Sequence, residues 1–153
     1  MNIKIDHINL SLLRIMQTNP DYSQRELADQ VGLSQNACWR RLKQLEQSGI
    51  IEGRRLVLDR AMLGLDLVVF MMIQTQNHSS EWLKAFRSHV ISIPEVADFY
   101  RIGGDYDYML KVITEDMVSY DKIYQRLIQK TKLEKVTSYF SMEAIAENRS
   151  VHI

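Results

Sequence analysis

Gln35, Asn36, Trp39, Arg40 and Lys43 crowd into a stretch, Ser34 to Leu45, that contains no acid. Asn and Gln side chains can pair bidentately with the edge of adenine, and Arg with guanine. Lys and Arg also neutralise backbone phosphate and release its counterions. Trp39 suits a thymine methyl and the sugars beside it, or packing within the protein. Two more cations, Arg54 and Arg55, follow within Ile50 to Asp59. They suit a phosphate neighbour, and equally a solvated connecting strand. These residue types point to nucleic acid, provided that a helix presents the first group on one face.

The flanking residues supply such a helix. Ser34 is a good N-cap. Cys38, Leu42 and Leu45 fall at i, i+4 and i+7, an apolar stripe opposite the polar one. Upstream, Ser23 and Glu26 have the spacing of a capping box. Leu27, Ala28 and Val31 give a preceding short helix its buried side. Gly32, four residues after Ala28, permits close approach and the positive φ that ends a helix. The pair makes a helix-turn-helix, a motif that also serves structural roles. Asp6 caps an earlier helix reaching about Gln17, with Ile8, Leu12, Ile15 and Met16 inward. Gly49 ends the helix that carries the amides. Ile50 to Asp59 has strand character broken at Gly53, so three helices and a short strand pair imply a winged helix-turn-helix. Cys38 reads as a small core residue, and Arg41 as a structural cation for Glu26 or Glu46.

With 153 residues, 46% of them hydrophobic and 25% charged, the chain has the make-up of an ordinary globular protein of one or two domains. No apolar run reaches the length of a membrane span, and the N-terminal stretch does not read as a secretory signal. One cysteine excludes an intrachain disulfide framework and suits a reducing cytoplasm. Net charge is zero, yet residues 1–60 hold nine Lys or Arg against seven Asp or Glu, and residues 61–153 hold ten against twelve. The first part is therefore net positive and the second net negative. A local basic face on a neutral protein is enough when two copies bind together, because phosphate contacts add.

Residues 50–66 form the wing and the link, with the DNA-binding domain over 1–60. From Leu67 the pattern runs strand (67–76), helix, strand (96–102), strand (108–113), helix, strand (136–144). That is the order of a ferredoxin-like βαββαβ domain over 67–153, and it places the fold in the α+β class. Val69, Met71 and Ile73 point to one side of the first strand, Phe70 and Met72 to the other. Apolar residues on both faces imply that a second subunit covers the face without helices. Gly103, Gly104, Asp105, Tyr106 and Asp107 make the turn between the second and third strands. Backbone N–H groups at such a turn can hold a carboxylate, and Asp105 and Asp107 can hold an ammonium. The loop therefore suits a zwitterion, while Gly-Gly-Asp is also ordinary turn chemistry.

Over almost its whole length the chain resembles the leucine-responsive regulatory protein/AsnC family of transcription regulators. The resemblance rests on Ile5-Asp6 with Leu12-Leu13, on Ser23 to Leu45 with its Leu-Ser helix start, Cys38 and Arg41, and on Leu58-Asp59 with Leu63-Gly64. Its most specific part is Gly104-Asp105-Tyr106-Asp107-Tyr108 at the hairpin. It departs at Gln35 and Ala37, where many members carry proline, and at Asn9, where many carry aspartate. His78-Ser79-Ser80-Glu81-Trp82 is similar to a segment in a branch linked to sulfur amino acids. The resemblance implies a homo-oligomer, a dimer that builds larger rings such as octamers, on double-stranded DNA. It also implies a free amino acid as effector near the hairpin, with Met117, Ser138, Tyr139 and Phe140 beside it at a subunit interface.

Two other classes compete. A winged-helix adaptor for proteins lacks a reason for the amide and cation face. A ferredoxin-like enzyme lacks a motif: His7, His78, His89 and His152 are scattered without metal-ligand spacing. No phosphate-binding loop or nucleophile elbow occurs. The expectation is a cytoplasmic, oligomeric, DNA-binding regulator with no metal and no cofactor beyond an amino-acid effector.

Overall fold

The computed structural model describes residues 5–153. The chain divides into two compact units, one ending at Val57 and including Ala146–Ile153, the other Leu58–Ile145.

The first unit is built on three helices, α1 (His7–Thr18), α2 (Gln24–Gln30) and α3 (Gln35–Gln47). Each begins where a side chain takes up a free backbone N–H. Asp6 accepts from Asn9 N at 2.8 Å, Ser23 from Glu26 N at 3.3 Å, and Ser34 from Ala37 N at 3.3 Å. Glu26 returns the favour by accepting from Ser23 N at 2.7 Å, which completes the capping box. Gly32 and Gly49 close α2 and α3 at φ +66° and +79°. Leu12, Leu27, Ala28, Cys38 and Leu42 form the core, with Ile8, Ile15, Met16 and Leu33 packed around them.

Among the described residues, the expected strand pair of the wing is not formed. Residues 53–59 form no helix or strand, and Leu56, Val57 and Leu58 are 88%, 75% and 60% exposed. The segment has the strand composition, but the described residues offer it no second strand.

The second unit follows the expected order: β1 (Leu67–Gln74), α4 (Ser80–Ile91), β2 (Val96–Arg101), β3 (Tyr108–Thr114), α5 (Met117–Gln129) and β4 (Lys135–Phe140). The strands lie in the order β2-β3-β1-β4, all antiparallel. Val69, Met71, Ile73, Tyr108, Leu110 and Val112 pack against Phe86 and Val90 of α4 and Tyr120, Ile123 and Leu127 of α5. Phe86 sits among Trp82, Phe99 and Tyr108, with ring centroids 4.9 to 5.8 Å away.

Several boundaries differ from expectation, among them the end of β1 at Gln74 and not at 76. β4 stops at Phe140, not Ala144, because Phe140 pairs with Val69 and Ser141 N donates to Val68 O. The ladder closes there although β1 itself continues to Val68 and Leu67. Residues 146–153, expected in the ferredoxin-like domain, belong by their contacts to the first unit. Among the described residues, no helix is long and apolar enough to cross a membrane, and no His/Cys/Asp/Glu cluster could hold a metal ion.

Candidate nucleic-acid interface and the hairpin region

The two stripes of α3 separate as the spacing requires. Cys38, Leu42 and Leu45 are buried, and burial pushes the Cys38 thiol up. Gln35, Asn36, Trp39, Arg40 and Lys43 all face solvent. Ser34, Asn36, Trp39 and Arg40 line one shallow depression at the start of the helix. The Lys43 ammonium lies 5.8 Å from the centre of the Trp39 ring, a cation–π contact that stiffens both side chains. Trp39 is 49% exposed, so it does not pack into the protein. Ser34 serves the helix as its cap. Arg54 and Arg55 are exposed on the segment after α3.

Arg41 is held by neither Glu26 nor Glu46. Its Nη1 donates to Asp6 Oδ2 at 2.7 Å and to Asn9 Oδ1 at 2.9 Å. The partners lie 35 and 32 residues away in sequence, on the cap and first turn of another helix. This clamp fixes α3 to the start of α1. The Asn9 amide, then the Arg41 guanidinium, hold the Asp6 carboxyl below the usual carboxylate range.

In the second unit the hairpin is tied to the sheet at Asp107. Its Oδ2 accepts from Thr75 N at 2.8 Å, and its backbone N–H donates to Ile73 O at 2.9 Å. This carboxylate oxygen is thus engaged, whereas Asp105 is exposed. Gly103 and Gly104 are exposed too, and Gly104 takes φ +121°, a backbone that favours glycine. The Tyr106 hydroxyl meets Thr137 Oγ1 at 3.1 Å, and Lys135 Nζ lies 5.5 Å from its ring centre. The Thr137 hydrogen bond lowers the Tyr106 pKa.

The alternation of β4 sorts the remaining residues. Ser138 and Phe140 face the helices: the Tyr120 hydroxyl bonds Ser138 Oγ, and the Tyr120 and Phe140 rings lie edge to face at 5.5 Å. Tyr139 points to the other side, the side of Thr137 and Tyr106. Met117, at the start of α5, is half exposed. The expected group is therefore split between two faces of one strand. Sequence reasoning missed Tyr120, Lys135 and Thr137. The signals were there: Tyr120 lies one turn after Met117, and Thr137 alternates with Ser138.

Residues 68–151 match the family model described as Lrp/AsnC ligand binding domain. Residues 5–52 match that described as winged helix-turn-helix DNA-binding. The chain belongs to the Lrp/AsnC family. It is 42% identical over 150 residues to the DNA-binding transcriptional activator DecR of Escherichia coli (strain K12), covering 97% of this chain and 99% of that protein. It is 39% identical over 142 residues to the glutamate uptake regulatory protein of Zymomonas mobilis, covering 93% and 87%. Among solved structures, an AsnC family transcriptional regulator from Agrobacterium tumefaciens superposes with a TM-score of 0.92 at 39% identity, over 96% of each chain. A Neisseria meningitidis regulator solved as an L-Met complex gives 0.89 at 25% identity, over 97% of each chain. Lrp/AsnC proteins are transcription regulators with a DNA-binding helix-turn-helix and a ligand-binding domain, not enzymes. The exposed face of α3 and the split hairpin region are to be read in those terms.

Proposed function

We propose that the chain binds double-stranded DNA through Ser34, Gln35, Asn36, Trp39, Arg40 and Lys43, with Arg54 and Arg55 on the flanking phosphates. It works in the cytoplasm as a homo-oligomer, and a free amino acid shifts its assembly or its DNA affinity. The observation that carries this reading is α3, whose polar and cationic face is wholly exposed while its other face is buried and clamped by Arg41. Its N-terminal residues are those a helix-turn-helix presents to base edges.

Two surfaces support a second copy. Phe70, Met72 and Met109 lie on the sheet face that carries no helix, and the 56–58 segment is aliphatic and unpaired. Two antiparallel copies of that segment would set Leu56 opposite Val57 twice. The sheets set the spacing of the α3 helices, and dimers assemble further into octamers. The effector sits by Gly103, Gly104, Asp105, Tyr106 and Asp107, with Met117, Ser138, Tyr139 and Phe140 near it. The L-Met complex of the Neisseria regulator makes a sulfur amino acid the first one to try.

Sedimentation of the pure protein, alone and with each amino acid, tests the assembly and the effector together. A mass or shape change with one amino acid supports the reading. A single unchanging species throughout, with no heat of binding for any amino acid, defeats the effector half. Failure to select any duplex from a random pool defeats the DNA half.

A further inference from the structure

The chain passes between the two units twice, at Val57–Leu58 and again at Ile145–Ala146. The first passage lies in the exposed, unpaired 53–59 segment. The second is different in kind, because the returning chain is fastened to α1. Val151 N donates to Gln17 Oε1 at 2.7 Å, and Gln17 Nε2 donates back to Val151 O at 3.1 Å. One side-chain amide thus satisfies both backbone groups of Val151, as a neighbouring strand would. Ser150 Oγ donates to Gln17 O at 3.4 Å, and Arg14 Nε donates to Ile153 O at 2.5 Å. Arg14 and Gln17 lie three apart on α1, so they share one face. Asn148 takes φ +52°, the one described non-glycine residue with positive φ. Asparagine accepts that conformation more readily than most residues, and it turns the chain just before the fastening.

We infer that residues 146–153 are a strap. They clip the chain returning from the sheet unit onto α1 and give the DNA-binding unit a second tether. A unit held by one flexible link can sample many orientations, whereas a second fastened link removes most of them. Residues 141–145, which form no helix or strand, join the end of β4 to the strap. The tether itself does not depend on what the hairpin region binds.

The test uses the full chain and two variants, Gln17→Ala and Gln17→Glu. Gln17 is exposed and outside the core, and Glu keeps the acceptor for Val151 N while losing the donor. Hydrogen exchange reads the fastening. Spin labels at Gln47→Cys and Arg87→Cys, diluted with unlabelled chain, read the distribution of distances between the units; Cys38 is buried and stays unlabelled. The expected result is a protected Val151 amide in the unaltered chain, lost in Gln17→Ala and partly kept in Gln17→Glu. The label distribution broadens in the same order, while exchange in β1 and β3 stays unchanged. A Val151 amide that exchanges freely in the unaltered chain overturns the fastening. Loss of its protection with no change in the label distribution overturns the tether.

Discussion

Arg41 of α3 and Asp6 at the cap of α1 are joined at 2.7 Å, and Asn9 takes the same guanidinium nitrogen at 2.9 Å. The pair links α3 to the start of α1, which adds Leu12 to the core. Asp6 does two jobs at once, capping α1 through Asn9 N and holding Arg41. The helix proposed to lie on DNA is thereby aimed by a contact that no DNA atom needs to touch.

This arrangement makes the unit sensitive to acid. Asp6 has a folded pKa below its unfolded value, so its contribution is present above the unfolded pKa and lost as pH falls through the folded one. Glu26 in the capping box has the same sign, from the Ser23 hydroxyl and then the Ser23 amide. The urea midpoint should drop as pH falls from about 5 to about 2. Asp6→Asn keeps a cap but removes the charge facing Arg41, and its midpoint should be lower at neutral pH and fall less. Parallel curves for the two proteins would show that the Arg41 contact contributes nothing.

Arg40 and Arg54 should fail in different ways. Arg40→Ala should lose roughly 1–3 kcal/mol on a selected duplex, with relaxed preference at one base position, as for a base-reading arginine. Arg54→Ala should weaken all duplexes alike and reduce the salt slope by about 1, as for a phosphate contact. Fluorescence anisotropy at several salt concentrations measures both. Both side chains are exposed, so neither variant should shift the thermal midpoint.

What the sequence made legible here follows from the range of each signal. Caps, box and C′ glycine are local, and Asp6, Ser23 and Ser34 all stand at helix starts as read. The strands emerged from continuous apolar runs such as Leu67 to Ile73, and from the Gly-Gly-Asp turn. Long-range choices were not legible. Arg41 had several acids of equal appeal in sequence, and only the packing of α3 on α1 selects Asp6. Residues 146–153 lack any hydrophobic period, and their place is set by hydrogen bonds to two α1 side chains. The hairpin residues were found as a group, but the pleat divides their β4 neighbours between two faces.

Asp107 is the hinge pin of that hairpin. Its carboxylate is the acceptor for Thr75 N at the end of β1. Asp107→Ala leaves that N–H without its partner and should cost about 1.5–3 kcal/mol, the range for a hydrogen bond to a charged group. Asp107→Asn keeps an acceptor oxygen and should lose less. Hydrogen exchange at Thr75 follows the loss directly. Equal protection in the two variants would mean that the carboxylate does not hold the turn.

Thr137 and Ser138, adjacent on β4, hold two tyrosines on opposite faces of the sheet, and the two should titrate apart. The Tyr106 hydroxyl is pulled down, first by its hydrogen bond to Thr137 and then by Lys135. The Tyr120 hydroxyl is pushed up by burial, against the smaller pull of Ser138. In an alkaline titration followed by tyrosinate absorbance, Tyr106→Phe should remove the earliest step and Tyr120→Phe a late one. The stability signs differ as well. A depressed folded pKa makes Tyr106 add stability as pH rises past that value. A raised one means that the contribution of Tyr120 is full below its unfolded pKa and is lost as pH rises through the folded pKa. Tyr120→Phe should therefore flatten the alkaline loss of stability and Tyr106→Phe should steepen it, and the same direction of change in both variants would contradict the assignment of the two faces.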